Sequence, residues 1–521
     1  MKRILPILLQ VPLVVLAGGL LAYLLHGSFQ RIVYPFDIEW MEGGMLVHVW
    51  RLREGLGLYM EPDADWIPYI YPPLYPWLMS LLGEPSYVVG RSISLIGTLA
   101  AAGAAAFAVH REGASWGFAA AAAGLFLGCF DESGTFYDLV RADALAIGLA
   151  AWSIALCRVG SRRAVVASGL LLVLAFLAKQ NYAMFGVGML AWVWIAHGAR
   201  RAGVFALASV VPALLATVAI QVASEGHYLT YLLEVPASHP LVAERAWPKS
   251  ELELATVFLY SNIAAAVLGL VWIARRRFTK AGLYWVLVTV TAIGASILMR
   301  AHHGGYVNVL MPGHWALAVC GMAMLGVVVR DWSHPVVLAL ACGLTGWQLW
   351  ETRWDAQRMI PTEDDVAAGE RVIAAIEAVD GEVFAPHFPW YPAMAGKTPS
   401  LPLIALWDID HRGGPYKKEA KRVDTALASQ RWAAVLTPDR HTKHGLELHY
   451  DKGERLKYSG RTFQTKTGWK VKPTIIWVPM VSEEEPDEPA LLPDPELPGE
   501  APEGPGADEV DIDPPGPVPE P

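Results

Sequence analysis

Apolar residues in this chain are gathered into runs, and the length of those runs decides the fold class. Eleven stretches, at 4–26, 86–109, 114–130, 142–159, 164–178, 182–198, 203–224, 254–274, 281–299, 309–329 and 334–350, are rich in Leu, Val, Ala and Trp. Most are about 17 to 25 residues long, the length that crosses a hydrocarbon core as a helix. With 54% hydrophobic and only 17% charged residues over 521 positions, the chain reads as an integral membrane protein. The expected fold is mainly α, a polytopic bundle of about eleven spans.

Charge sets the expected orientation. Lys2 and Arg3 precede the first run. Every second connection after it is basic: His110/Arg111, Arg158/Arg162/Arg163, Arg200/Arg201, Arg275/Arg276/Arg277/Lys280, then Arg330. Excess Lys and Arg mark cytoplasmic loops, so the N-terminus is expected inside and the C-terminus outside. The first run has a basic start like a signal peptide, but it is too long for a usual signal core and is kept as a span.

Residues 1–350 then form a membrane domain, with 27–85 as its first outer loop. Residues 352–480 read as a small extracytoplasmic α/β domain. There "EDDVAAGERVIAAIEAV" has a helical apolar stripe, and "EVFAP", "WAAVLTP" and "TIIWVP" read as short strands. Residues 481–521 form a Pro-rich tail with 14 acids and no Lys or Arg, a composition expected to stay disordered. Without those acids the net charge of −9 becomes +5. Cys129, Cys157, Cys320 and Cys342 fall in apolar runs without zinc-ligand spacing and read as core residues.

The chemistry is expected where charge meets lipid. "FDIEWMEGG" at 36–44 places Asp37, Glu39 and Glu42 just beyond the first span. Carboxylates there are costly unless water, a cation or a reaction needs them. Either they form a catalytic cluster with a general base, or they belong to a solvated loop paired with Arg31, Arg51 or Arg53. The next segment, with Met45, Val49 and Leu52 at helical spacing, reads as an amphipathic helix on the membrane surface.

A few outer positions carry cations against the orientation rule: Arg141, Lys179 in "AKQNY", and Arg300, His302 and His303 in "MRAHHGGYVN". They are candidates to line an outward cavity and hold an anion such as a lipid phosphate. Arg141 has an alternative in neutralisation by Asp138, three residues before it, with Asp143 also close. Lys179 has no acid near it in sequence. At most one of the adjacent His302 and His303 is expected to reach a substrate. Gly304 and Gly305 allow close backbone approach or a plain turn.

These features together, with "YPPLYP", "YDLVRAD", "KQN" and "HHGGYVNVLMP", resemble the GT-C superfamily of membrane glycosyltransferases. The likeness is greatest to the bacterial dolichyl-phosphate-mannose-protein mannosyltransferase-like and aminoarabinose transferase-like groups, and covers residues 1–350. The resemblance implies an inverting transferase at the outer face of the inner membrane. Its donor would be a polyprenyl-phosphate-linked sugar and its acceptor a lipid, glycan or protein. The family's base falls on Asp37, with Glu39 as companion or substitute. Glu42, Arg141, Lys179, Arg300, His302 and His303 would bind substrate, the cations facing the leaving phosphate. No cofactor is expected. Some relatives use a divalent metal, but here the acids alone would have to hold one.

The main rival is a transporter or flippase of a lipid-linked or anionic solute, which would carry acids deep in its spans. A scaffold without catalysis is a third reading. Neither an exposed basic face for nucleic acid nor a phosphate-cradling glycine loop after a strand is present.

Overall fold

The computed structural model describes residues 4–275, 279–439 and 445–481. The acidic tail, from residue 482, and Arg276 and Arg277 of the fourth basic connection lie outside the described residues.

All eleven apolar runs lie on helices. The first nine helices used below are α1 (Ile4–Ile32), α2 (Glu42–Arg53), α3 (Leu74–Leu82), α4 (Tyr87–Arg111), α5 (Trp116–Gly128), α6 (Ala142–Val159), α7 (Arg162–Ala178), α8 (Phe185–His197) and α9 (Ala199–Ala223). Among the described residues six helices are long and apolar enough to cross a membrane: α1, α4, α6, α9, Lys280–Ala301 and the one ending at Trp332. A seventh crossing arises if Arg245–Thr256 and Leu259–Ala274, bent by 83°, count as one. The other four runs lie on helices of 13 to 17 residues: α5, α7, α8 and Pro335–Glu351.

The bundle is tightest between α4 and α6. A Cβ on Gly97 would sit 2.4 Å from the Ala144 carbonyl, and one on Gly148 would sit 2.4 Å from the Gly97 carbonyl. Small residues let helix backbones touch where lipid supplies no hydrophobic drive for association. That contact fixes the N-terminal halves of α4 and α6, and with them the residues that reach the loop between α1 and α4.

Residues beyond 352 carry a four-stranded sheet, ordered β1 (Val383–Phe384), β2 (Ala434–Thr437), β4 (Ile475–Pro479), β3 (Tyr450–Arg455). β1 and β2 run parallel, and the other pairs are antiparallel. The three strands read from sequence are present. β3 escaped notice because its "YDKGER" has one buried residue followed by five exposed ones, so it shows no alternation. Helix Glu363–Glu377 begins in a Thr362/Asp365 capping box, which satisfies two backbone donors of its first turn.

One local expectation is corrected. The helix after the acidic loop does not lie on the membrane surface: from Glu42 to Val49 every residue of α2 is buried. Its glycines explain this, because a Cβ on Gly44 would stand 1.9 Å from the Tyr69 hydroxyl and 2.9 Å from Pro402. Protein therefore covers the face expected to meet lipid. The Pro-rich "IPYIYPP" is irregular, as expected, and gives way to the nine-residue α3.

Candidate active site

The acidic loop is folded by its own third acid. Glu42 opens α2, and its Oε2 accepts the backbone N–H of Ile38 at 2.6 Å and of Glu39 at 3.2 Å. Arg91 of α4 donates to both Glu42 oxygens, at 2.9 and 2.8 Å, and Val140 N–H donates to Oε1 at 2.8 Å. The other Arg91 donors bind the carbonyls of Arg31, Tyr34 and Phe36. Burial alone would raise the Glu42 carboxyl, but Arg91 and these N–H groups hold it below the usual range.

This frame buries Asp37 and Glu39 together in one loop. Asp37 is 5% exposed. Its Oδ1 accepts from the Tyr87 hydroxyl at 2.8 Å, and its Oδ2 has no hydrogen-bond partner among the described residues. Burial pushes its carboxyl well above the ordinary value, with Glu42 adding to the effect. Burial also lifts Glu39, to about 7, against the pull of Arg141. Glu39 Oε2 receives Arg141 at 2.9 Å and the Met41 N–H at 3.2 Å.

From Arg141 the charges continue to the start of α6 and the end of α7. Arg141 stands 3.9 Å from Asp143, which Lys179 contacts directly and Asn308 bonds at 2.7 Å. Asp143 lies in the first turn of α6 and Lys179 caps the last turn of α7, so each complements its helix dipole. The Tyr71 ring lies under both cations, 5.9 Å from Arg141 and 5.6 Å from Lys179.

Proximity in sequence predicted only Asp143 beside Arg141. Asp138 pairs with Arg31 at 2.8 Å and leaves Arg141 to Glu39. Lys179, with no acid nearby in sequence, finds Asp143 across the bundle. Arg51 and Arg53 bond elsewhere, to loop carbonyls and to Glu84. Arg91 passed unnoticed, although a lone Arg inside an apolar run is a signal of function or of a buried partner. Tyr87, Asn308 and Asp408 left no signal that sequence alone could read.

Arg300 and the two histidines stand apart from this loop. Arg300 donates to Glu253 at 3.3 and 3.2 Å and to the Gly305 carbonyl at 2.7 Å. The 305–308 turn then leads to Asn308, which touches Asp143. His302 bonds the carbonyls of His303 and Pro236. His239, His302, His303 and His411 form a cluster with ring centroids 4.5 to 6.3 Å apart. Among the described residues no three His, Cys, Asp or Glu side chains are arranged to hold a metal ion.

The segment after 352 closes over the acids. Lys466 N–H donates to the Ile38 carbonyl at 2.8 Å, and Glu39 and Thr467 form a parallel β-bridge. Thr467 Oγ1 donates to the Gly134 carbonyl at 2.5 Å. Asp365 steadies this segment through Lys466 at 2.8 Å and the Phe463 N–H at 2.6 Å. A Cβ on Gly468 would lie 2.8 Å from Glu39 Oε1.

No protein-family model matches this sequence, and no curated protein matches it significantly. Solved structures do match. The crystal structure of ArnT from Cupriavidus metallidurans bound to undecaprenyl phosphate aligns with TM-score 0.56 at 12% identity, over 88% of this chain and 97% of that one. The apo state of the same protein aligns with TM-score 0.53 at 13% identity, over the same shares. The fold is that of this ArnT structure.

Proposed function

We propose that this chain belongs to the GT-C superfamily and moves a sugar from a polyprenyl-phosphate carrier to a hydroxyl acceptor at the outer face of a membrane. We take residues 1–350 as the catalytic membrane part with eleven crossings, N-terminus inside, and 352–480 as its extracytoplasmic α/β part. The basic alternate connections support that orientation, which corresponds to the inner membrane of a bacterium. The carrying observation is the buried Asp37, whose Oδ2 has no partner among the described residues, two positions from Glu39, which opens a chain of charges through Arg141 and Asp143 to Lys179.

In this reading Asp37 Oδ2 accepts the proton of the acceptor hydroxyl as that oxygen attacks the anomeric carbon. The bond to the carrier phosphate breaks, and the configuration inverts. A carboxyl raised by burial is the stronger base once ionised. Tyr87 aims it from Oδ1. Glu39 keeps Arg141 pointed toward the acidic loop. Arg141 and Lys179 meet the negative charge that grows on the leaving phosphate, where preorganised cations act strongly because water is scarce. Glu42, with every short contact made to Arg91 and backbone N–H groups, is proposed to position the loop in place of the substrate contact expected from sequence. Arg300, His302 and His303 are proposed for the carrier's approach, beyond the reacting atoms.

The test is transfer by the purified protein from radiolabelled undecaprenyl-phosphate sugars, beside glycolipid mass spectrometry of a deletion strain. Transfer by the native chain and its loss in Asp37→Asn are expected. Transport of an anionic solute into sealed liposomes, without transfer of any sugar, would overturn the reading in favour of a transporter.

A further inference from the structure

We propose that Trp40, Trp407 and Trp469 form a subsite for a pyranose ring at the edge of the acidic loop, with Asp408 and Glu39 facing its hydroxyls. The ligand class follows from the glycosyl-transfer reading above; the geometry stands without it.

Three indoles from separate segments meet here. Trp40 lies 5.3 Å from Trp469 at 87°, and 5.8 Å from Trp407 at 52°. Trp407 and Trp469 are 5.6 Å apart at 37°. These contacts alone would describe a small core, but the nitrogens argue otherwise. Of the four fully buried indoles, Trp66, Trp315 and Trp477 donate their N–H within the protein, at 2.7, 2.9 and 2.8 Å, as buried indoles usually do, and Trp192 is the exception. Trp40, Trp407 and Trp469 make no such bond among the described residues, and Trp407 and Trp469 are only partly buried. They present apolar faces with free donors at the rim, the surface that suits the C–H face and hydroxyl edge of a sugar.

The polar flank is in place. Glu39 Oε1 approaches the bare Cα of Gly468, the neighbour of Trp469, and a Cβ there would be 3.3 Å from Trp40 Cδ1. Asp408 follows Trp407 on helix Leu403–Ile409. Its carboxyl feels the Arg141 charge and has no hydrogen bond or ion pair to the described residues. Burial pushes it up to about 8, so near neutral pH it can both donate to and accept from a hydroxyl. A planar apolar wall with convergent polar groups is the usual build of a small-molecule site.

The test is saturation-transfer NMR on the full chain in nanodiscs, with methyl pyranosides of glucose, mannose, galactose and galacturonic acid as probes. At least one is expected to bind with the strongest transfer to the C–H protons of one ring face. Its affinity should weaken about tenfold in Trp407→Leu and Trp469→Leu and persist in Trp407→Phe. Displacement by undecaprenyl-phosphate mannose but not by undecaprenyl phosphate assigns the ring to the donor; retention assigns it to the acceptor; both outcomes carry the proposal. Binding of no pyranoside to the native protein, or equal binding by both Leu variants, overturns it. Thermal unfolding of each variant, unchanged within a few degrees, shows that lost binding is not lost fold. Saccharide binding that depends on Trp407 without any sugar transfer leaves the subsite standing and removes the transferase reading. Transfer at native KM by Trp407→Leu does the reverse.

Discussion

Arg91 grips both carboxylate oxygens of Glu42, at 2.9 and 2.8 Å, and neither side chain is exposed to solvent. The pair lies between α4 and the loop that carries Asp37. Its contribution is one of shape: Arg91 also gathers the carbonyls of Arg31, Tyr34 and Phe36, so one guanidinium sets the path of the chain from α1 into the acidic loop.

Arg91→Ala leaves Glu42 buried and unmatched. Breaking one side of such a pair costs about 3–5 kcal/mol, so its thermal unfolding in detergent is expected well below that of the native protein. Arg53→Ala removes an exposed partner of Glu84 and is expected within about 0.5 kcal/mol of native.

Asp37→Asn replaces an unpartnered acceptor with an amide that cannot take a proton. Transfer is expected to fall by about 10²–10⁴ while unfolding stays near native. Tyr87→Phe removes only the hydrogen bond to Oδ1 and is expected to lose less. Equal losses would place Tyr87 among the reacting groups.

Lys179 and Asp143 form one end of the chain of charges. Asp143→Asn keeps Asn308 within reach but takes the charge from beside Lys179 and Arg141. In Lys179→Ala, kcat is expected to fall more than KM rises, because the cation meets charge that grows in the transition state. A change confined to KM would make Lys179 a ground-state anchor.

Gly468 has φ +66°, and a Cβ would press on Glu39 Oε1. Gly468→Ala is therefore expected to lower transfer as well as stability. Gly460, at φ +50° with open space around it, is the control. Its Ala variant carries the backbone cost alone, roughly 1 kcal/mol, and should keep native transfer.

Acidification is expected to lower transfer on a limb centred near 7, because Glu39 titrates at about 7 and Asp37 above its ordinary range. Protonation discharges the base and the partner of Arg141. Stability moves the other way. A carboxyl raised from 4.5 to about 7 binds more protons folded than unfolded, so its contribution favours folding at low pH and is lost as pH rises from 4.5 through 7. Glu39→Gln should flatten both dependences, measured as kcat/KM and as unfolding temperature against pH.

The sequence by itself determined the membrane helices, the acidic loop and the location of the rule-breaking cations. Run length, charge alternation and desolvation cost are local quantities, readable along the chain. It did not determine partners. Arg141 finds Glu39 across 102 positions, Lys179 finds Asp143 across 36, and Glu39 is covered by Thr467. Nearest-neighbour reasoning offered Asp138 as a partner for Arg141 and a lipid-facing surface for α2. Both failed because pairing depends on which helix ends meet, and that follows from backbone contacts such as Gly97 on Gly148. Only the tertiary structure brought the residues after 352 down onto Asp37 and Glu39, since a contact between segments more than 400 positions apart leaves no trace in local pattern.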